Sequence, residues 1–381
     1  MNDGFQDEDI ELICRIHKQP WPYLSWGKSD RVTRVLRMPP PPPQKITMPK
    51  VYGRKELPLA DAPIKDIYEQ KPLDLNKFEG CILLPGNVVL QDGDPPTVLN
   101  PSFYFGRHKW HGYMKRTSKD EDSYSYLKNI PAEVRHVPHP VYFADADHPK
   151  VYGHVLFDVI AKCWAYDHVP KNTPLATTVK MNRTYAMMLE ALGMDPWNVI
   201  HIDRPTVVQS AYFPGITFGR RDGVYPQALE VYDKICRLRH LSDVPKVERL
   251  YISRTKTKGR KLGVEPEIER WFSDNGFSIV HPQDLKIEDQ IALFSGAKMI
   301  AGTAGSAMHN AVFSPPETKI LIIGSSGWLH LADIFISPVE GRLGYVFGDP
   351  FEPATDGHRT SGAWSVDIED VKSGAIEHFG L

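Results

Sequence analysis

The sequence predicts an α/β fold with a parallel sheet covered on both faces in its C-terminal part. Two observations carry this. From Leu250 to Ile323, short apolar runs alternate with segments whose apolar residues recur at helical spacing. The runs are apolar throughout rather than at every second residue, as strands buried on both sides are.

The elements follow in order. Residues before the proline run hold Ile13, Trp21, Tyr23, Leu24 and Trp26, enough apolar surface to pack on a body. Pro39 to Pro43 form a stiff polyproline stretch, read either as a rigid connector or as a docking motif. Cys81–Leu84 and Val88–Leu90, separated by Pro85-Gly86-Asn87, predict a hairpin. Val141–Phe143 is a strand that runs into Ala144-Asp145-Ala146-Asp147-His148. A helix follows over about 152–164, with Val155, Leu156, Val159, Ile160 and Cys163 as its apolar stripe. A second helix covers about 182–192 and stops at Gly193.

The C-terminal part is the clearest. Leu250–Ile252, Phe277–Val280, Met299–Ala301 and Ile320–Ile323 are four strands. Between them lie a helix over 266–274, with proline in its first turn and Asn275-Gly276 at its end, a helix capped by Asp284, and a helix over 305–312. A terminal helix over about 368–378 packs across the body. The expected segments are a Pro-rich extension (1–60), an N-terminal α/β domain (61–240), a C-terminal α/β domain (241–345) and a tail (346–381).

Composition narrows the function. A net charge of −2 gives no global basic field for nucleic acid. The four cysteines form no Cys-x-x-Cys pair, so a reducing, cytoplasmic setting is expected, without disulfides or zinc. Residues 1–11 lack a signal-peptide layout, and no apolar run reaches the roughly 18–20 residues of a membrane span. Peripheral membrane association through partners stays open. Gly-x-Ser-x-Gly, His-Glu-x-x-His and Walker patterns are all missing, which disfavours hydrolase, zinc-protease and P-loop chemistry.

Ligands of parallel sheets sit beyond the carboxyl ends of the strands. Two features meet that description. Gly302-Thr303-Ala304-Gly305-Ser306-Ala307 turns from strand to helix and aims amides at one spot, which suits a phosphate or simply a tight turn. Ser253-Arg254 ends the neighbouring strand, followed by the basic loop Lys256, Lys258, Arg260 and Lys261. Arg254 suits an anion, or a structural ion pair. Together they suggest a diphosphate-bearing ligand. Earlier in the chain, His154 and Asp158 at i,i+4 read as an acid–base dyad or as an exposed ion pair. Asp145 and Asp147 read as a divalent-cation pair or as turn residues.

These residues resemble glycosyltransferase family 61, the group that includes capsular polysaccharide biosynthesis proteins, over about 152–323. The resemblance lies in Tyr152-Gly153-His154-x-x-x-Asp158, the strand-end Arg254, Arg260-Lys261 ahead of Glu265, Asp289-Gln290-Ile291, and the turn from Gly302 to Asn310. Ala304 stands where the family often has histidine, and Val264 where it often has asparagine. The resemblance implies a GT-B-like fold, two Rossmann-like domains facing across a cleft. It also implies an inverting, metal-independent transfer from a nucleoside-diphosphate sugar to a glycan acceptor, with no cofactor. Nucleotide-sugar contacts are expected from Ser253, Arg254, Arg260, Lys261, Glu265, Gln290, Gly302, Gly305, Ser306, Ala307, His309 and Asn310. His154 is the expected base, oriented by Asp158, with Asp145 in reserve. A sugar-nucleotide epimerase and a non-catalytic glycan-binding module remain alternatives.

Overall fold

The apolar runs of the C-terminal part come together as one parallel sheet. In the computed structural model, residues 7–25, 28–58, 64–99, 112–117, 123–219, 223–257, 261–353 and 362–381 are described. The chain divides into two units. The first is Met1–Pro41, Lys71–Gly219 and Tyr225–Val231; the second is Pro42–Gln70, Arg220–Val224 and Tyr232–Leu381. The proline run is thus where the chain first passes from one unit to the other. The cysteines are free thiols.

The second unit holds a 6-stranded sheet in the order Ser278–Val280, Arg249–Ile252, Met299–Thr303, Lys319–Ser325, Leu343–Gly348, Lys50–Tyr52, with every neighbouring pair parallel. Counting the five C-terminal strands along the chain gives the order 2-1-3-4-5. The strand order therefore reverses between Arg249–Ile252 and Met299–Thr303, which opens a crevice at their carboxyl ends. Tyr251, Ala301, Leu321, Ile323 and Val346 pack on one face with Ile268 and Phe272 of the Glu265–Asp274 helix and Val371, Ala375 and Phe379 of the Ile368–Phe379 helix. The alternating residues Leu250, Ile252, Ile300, Ile320 and Ile322 are equally buried and point to the other face.

This differs from the expected segments in two respects. Residues 42–70 group with the second unit, because Lys50–Tyr52 pairs with Leu343–Gly348. The strand Leu343–Gly348 crosses the expected boundary at 345/346, and the tail helix shares the core of the same sheet.

The first unit carries an 11-stranded sheet that is mixed. Arg135–Phe143, Leu175–Thr177, Val199–His201 and Thr206–Pro214 are mutually parallel along the sheet. Numbered along the chain, their order is 3-2-1-4, which reverses between Arg135–Phe143 and Thr206–Pro214. From there Leu73–Leu84 and Val88–Gln91 continue antiparallel. Their turn is the expected hairpin, with Gly86 at φ 82° and Asn87 at φ 64°. The resemblance implied a Rossmann-like domain here, and the antiparallel hairpin strands leave only part of this sheet parallel. The N-terminal helix Asp7–His17 buries Leu12 and Ile16 in the same core as Trp21.

Two helices wind differently from the expected α form. Tyr152–His154 opens as α, Val155–Ile160 is π-wound and Ala161–His168 is 3-10. The wide turn closes with the Ala161 amide donating to the Leu156 carbonyl. The expected helix over 305–312 is a 3-10 turn, Met308–Phe313. Asp284 lies in a short turn and pairs with Lys256 at 2.7 Å instead of capping Ile287–Gly296. Among the described residues no helix is long and apolar enough to cross a membrane.

Candidate active site

Each sheet presents a polar cluster at the carboxyl end of the strand beside its reversal point. In the first unit the chain leaves Phe143 and enters Ala144–Asp147. Asp145 is fully buried, and both of its oxygens are occupied. Oδ2 accepts from the Asn87 amide at 2.7 Å and Thr178 Oγ1 at 2.6 Å; Oδ1 accepts from the Thr178 amide at 2.8 Å and Thr177 Oγ1 at 3.1 Å. Burial holds its carboxyl above the ordinary range even so. Asp145 therefore ties the hairpin turn to two strand ends and does not face a reactant, which removes it as the reserve base.

His154 and Asp158 do form a pair, Nδ1 to Oδ2 at 2.9 Å, but not an exposed one. Asp158 is 2% exposed. The same Nδ1 lies 3.4 Å from Asp147 Oδ1. Burial pulls the imidazole pKa down, yet the hydrogen bonds and charges of Asp147 and Asp158 outweigh it and raise the value to about 10. The two carboxylates therefore hold the His154 proton more tightly than a free imidazole would. Burial raises the Asp158 carboxyl, opposed by the His154 charge. Lys162, also buried, donates to the Asp145 carbonyl at 3.0 Å, and burial lowers its pKa against the pull of Asp158, Asp145 and Asp147.

Asp147 is the member of this cluster that reaches a cavity. A hollow of about 580 Å3 is lined by Asp147, His148, Tyr113, Tyr126, Lys128 and Asn129. The two tyrosine rings lie 5.9 Å apart, and Lys128 sits 5.7 Å from the Tyr113 ring. A second hollow of about 400 Å3 shares Tyr113 and Lys150 with the first and adds Lys180, Asn182 and Tyr185. Aromatic walls with a few convergent polar groups suit a small polar ring. The Asp-Ala-Asp spacing was visible in the sequence. What the sequence concealed was that its two members point to different partners.

In the second unit, the guanidinium of Arg254 packs against the glycine-rich turn. A Cβ placed on Gly305 would stand 2.6 Å from Arg254 Nη1, so a side chain there would push the guanidinium aside. Gly302 is required too, since a Cβ would meet the Ile252 carbonyl at 2.8 Å across the two strands. Arg254 Nε is buried, and among the described residues no acceptor takes a hydrogen bond from this side chain. Burial lowers its pKa, with the Glu265 charge opposing. The Ala304 amide is taken by the Ile323 carbonyl at 2.8 Å, whereas those of Gly305, Ser306 and Ala307 donate to no described residue. The cation and the turn that carries these three amides meet at the carboxyl ends where the strand order reverses.

The other expected contacts sort differently. Glu265 Oε1 accepts from the Arg254 amide and from Thr303 Oγ1, both at 2.8 Å, and so ties the two strand ends together. Gln290 donates to the Pro282 carbonyl at 2.8 Å and accepts from Asn310 Nδ2 at 2.8 Å. Ser253 Oγ donates to the Glu269 carboxylate. Glu265, Gln290, Ser253 and Asn310 therefore each bond protein groups that frame the crevice. His309 is buried beside His330 and Asp333. Lys261 is exposed, and Arg260 lies outside the described residues.

Residues 152–321 match the family model described as glycosyltransferase 61, a span that begins one residue before Gly153-His154 and includes Arg254 and the whole glycine-rich turn. The resemblance to that family holds over this span, and it points to a glycosyltransferase acting with a sugar donor and a glycan acceptor. No curated protein matches the chain.

Proposed function

We propose that the chain is an inverting, metal-independent glycosyltransferase that moves a sugar from a nucleoside-diphosphate sugar to a hydroxyl of a glycan, in polysaccharide or glycoconjugate biosynthesis on the cytoplasmic side. The observation that carries this reading is Arg254, a largely buried guanidinium with no acceptor among the described residues, packed on Gly305 beside three amides that donate to no described residue. A buried cation is costly unless an anion joins it. A diphosphate supplies that anion, and its charge grows as the sugar leaves, so Arg254 stabilises the leaving group as a metal ion does elsewhere. The exposed Lys261 adds positive charge. With the Met308–Phe313 turn only six residues long, the amides act individually and not as a helix terminus.

The first unit supplies the acceptor side. Because His154 Nδ1 is already engaged by Asp158 and Asp147, the proton of the attacking hydroxyl passes to a carboxylate. Asp147 lines the cavity and is the base in this proposal; His154 orients it and Asp158 holds His154. A single displacement by that hydroxyl inverts the anomeric centre. The GT-B-like plan belongs to the same proposal.

The test is product analysis with UDP-, GDP-, CDP- and CMP-sugars, with and without glycan acceptors. The proposal expects an inverted glycoside with acceptor and slow hydrolysis without it. A new sugar nucleotide formed without acceptor would make the chain an epimerase, and no binding of any nucleotide would leave a glycan-binding module.

A further inference from the structure

We propose that His309, His330 and Asp333 bind one divalent transition-metal ion, zinc by their donor chemistry, which clips the glycine-rich turn to the loop that follows Lys319–Ser325. His309 lies in the 3-10 turn Met308–Phe313, and His330 immediately precedes the short helix Leu331–Phe335 that carries Asp333. One donor atom from each lies within 4.8 Å of the others. His309 Nε2 and Asp333 Oδ1 are 3.5 Å apart. That is long for a charge-assisted hydrogen bond, about 2.7–2.9 Å. It is close to the roughly 3.4 Å between two ligands held at about 2.1 Å from a tetrahedral zinc. The His309 and His330 rings approach to 4.6 Å between centroids.

Asp333 gives the independent observation. It is 4% exposed, and its buried Oδ1 takes no hydrogen bond among the described residues. Its other oxygen accepts from the Tyr345 hydroxyl at 3.3 Å, an outer partner that fixes the carboxylate with Oδ1 turned toward the histidines. Two imidazoles and one carboxylate favour zinc over magnesium, which demands oxygen ligands. They leave a fourth position for water or a ligand oxygen. The other triad with comparable spacing, Asp147, His154 and Asp158, is different: there a 2.9 Å hydrogen bond occupies the space an ion would need.

The clip would hold the chain just after the Gly305, Ser306 and Ala307 amides. The test is calorimetric titration of the full, chelator-treated chain with zinc chloride, followed by thermal melting. One equivalent of zinc is expected, with a raised melting temperature and no effect of magnesium. Zinc affinity should fall more than about tenfold in His330→Ala and in Asp333→Asn, and about tenfold in Tyr345→Phe through the outer shell. His154→Gln should bind zinc normally. The proposal is overturned if wild type takes up no zinc saturably, if His330→Ala and Asp333→Asn bind it undiminished, or if His154→Gln abolishes uptake. Because the readout is metal occupancy, failure here leaves the transfer reading standing.

Discussion

At the carboxyl end of Arg135–Phe143, three carboxylates gather with two imidazoles, His154 and His148, and one lysine. At the carboxyl end of Arg249–Ile252, one guanidinium and three amides converge with no described protein acceptor. Both clusters sit where a strand order reverses, so topology alone does not tell them apart. The difference lies in whether the charges are satisfied internally. The first cluster is a closed proton network, poised to hold or pass a proton. The second has surplus donors, and surplus donors in a buried place call for an anion.

The comparison breaks most easily at Asp147. Asp147→Asn should lower kcat by about 10²–10⁴-fold with donor affinity unchanged, measured by initial rates and calorimetry. A loss confined to donor affinity would place Asp147 on the wrong side of the comparison. Gly305→Val comes next. Its side chain displaces Arg254 Nη1, so nucleotide affinity should fall about ten- to hundredfold while kcat at saturation changes less. An unchanged Kd would show that the turn is glycine for packing alone.

Two histidines give the smallest and most general test, through stability against pH. His154 is raised from 6.5 to about 10, so its contribution is fully present below pH 6.5 and is lost as pH rises through about 10. His378 is the opposite. It is buried beside the Tyr52 hydroxyl at 3.0 Å, and burial lowers it from 6.5 to about 4. Its neutral form contributes above pH 6.5, and that stability is lost as pH falls through about 4. Each effect amounts to a few kcal/mol at most, at about 1.4 kcal/mol per unit. Urea melts across pH should show His154→Gln flattening the alkaline limb and His378→Gln the acid limb. Equal slopes in the variants and wild type would mean that neither environment is as described.

The parallel sheet of the second unit was legible because Leu250–Ile252, Met299–Ala301 and Ile320–Ile323 are apolar at every position, and local pattern suffices for such strands. Two of its six strands, Leu343–Gly348 and Lys50–Tyr52, were not. Lys50–Tyr52 is three residues long among prolines, and it exists only because Leu343–Gly348 offers an edge almost 300 residues away. The pairing of Arg254 with the glycine turn was readable, since both end neighbouring strands. The winding around His154 was not, because α, π and 3-10 turns share almost the same apolar stripe over so short a segment. Nor could spacing reveal that Glu265 and Gln290 are spent on Thr303 and Asn310, because hydrogen-bond partners are set by tertiary approach. Asp145 and Asp147 show the limit most plainly: two residues apart and both buried, one is a strut held by four hydrogen bonds and the other lines a cavity.

The central claim concerns Arg254, and calorimetry of nucleoside diphosphates tests it without any acceptor or turnover. The account predicts saturable binding of one diphosphate by wild type, a loss of about a hundredfold in Arg254→Ala, and partial recovery in Arg254→Lys, whose point charge lacks the guanidinium fork. Undiminished affinity in Arg254→Ala would contradict it.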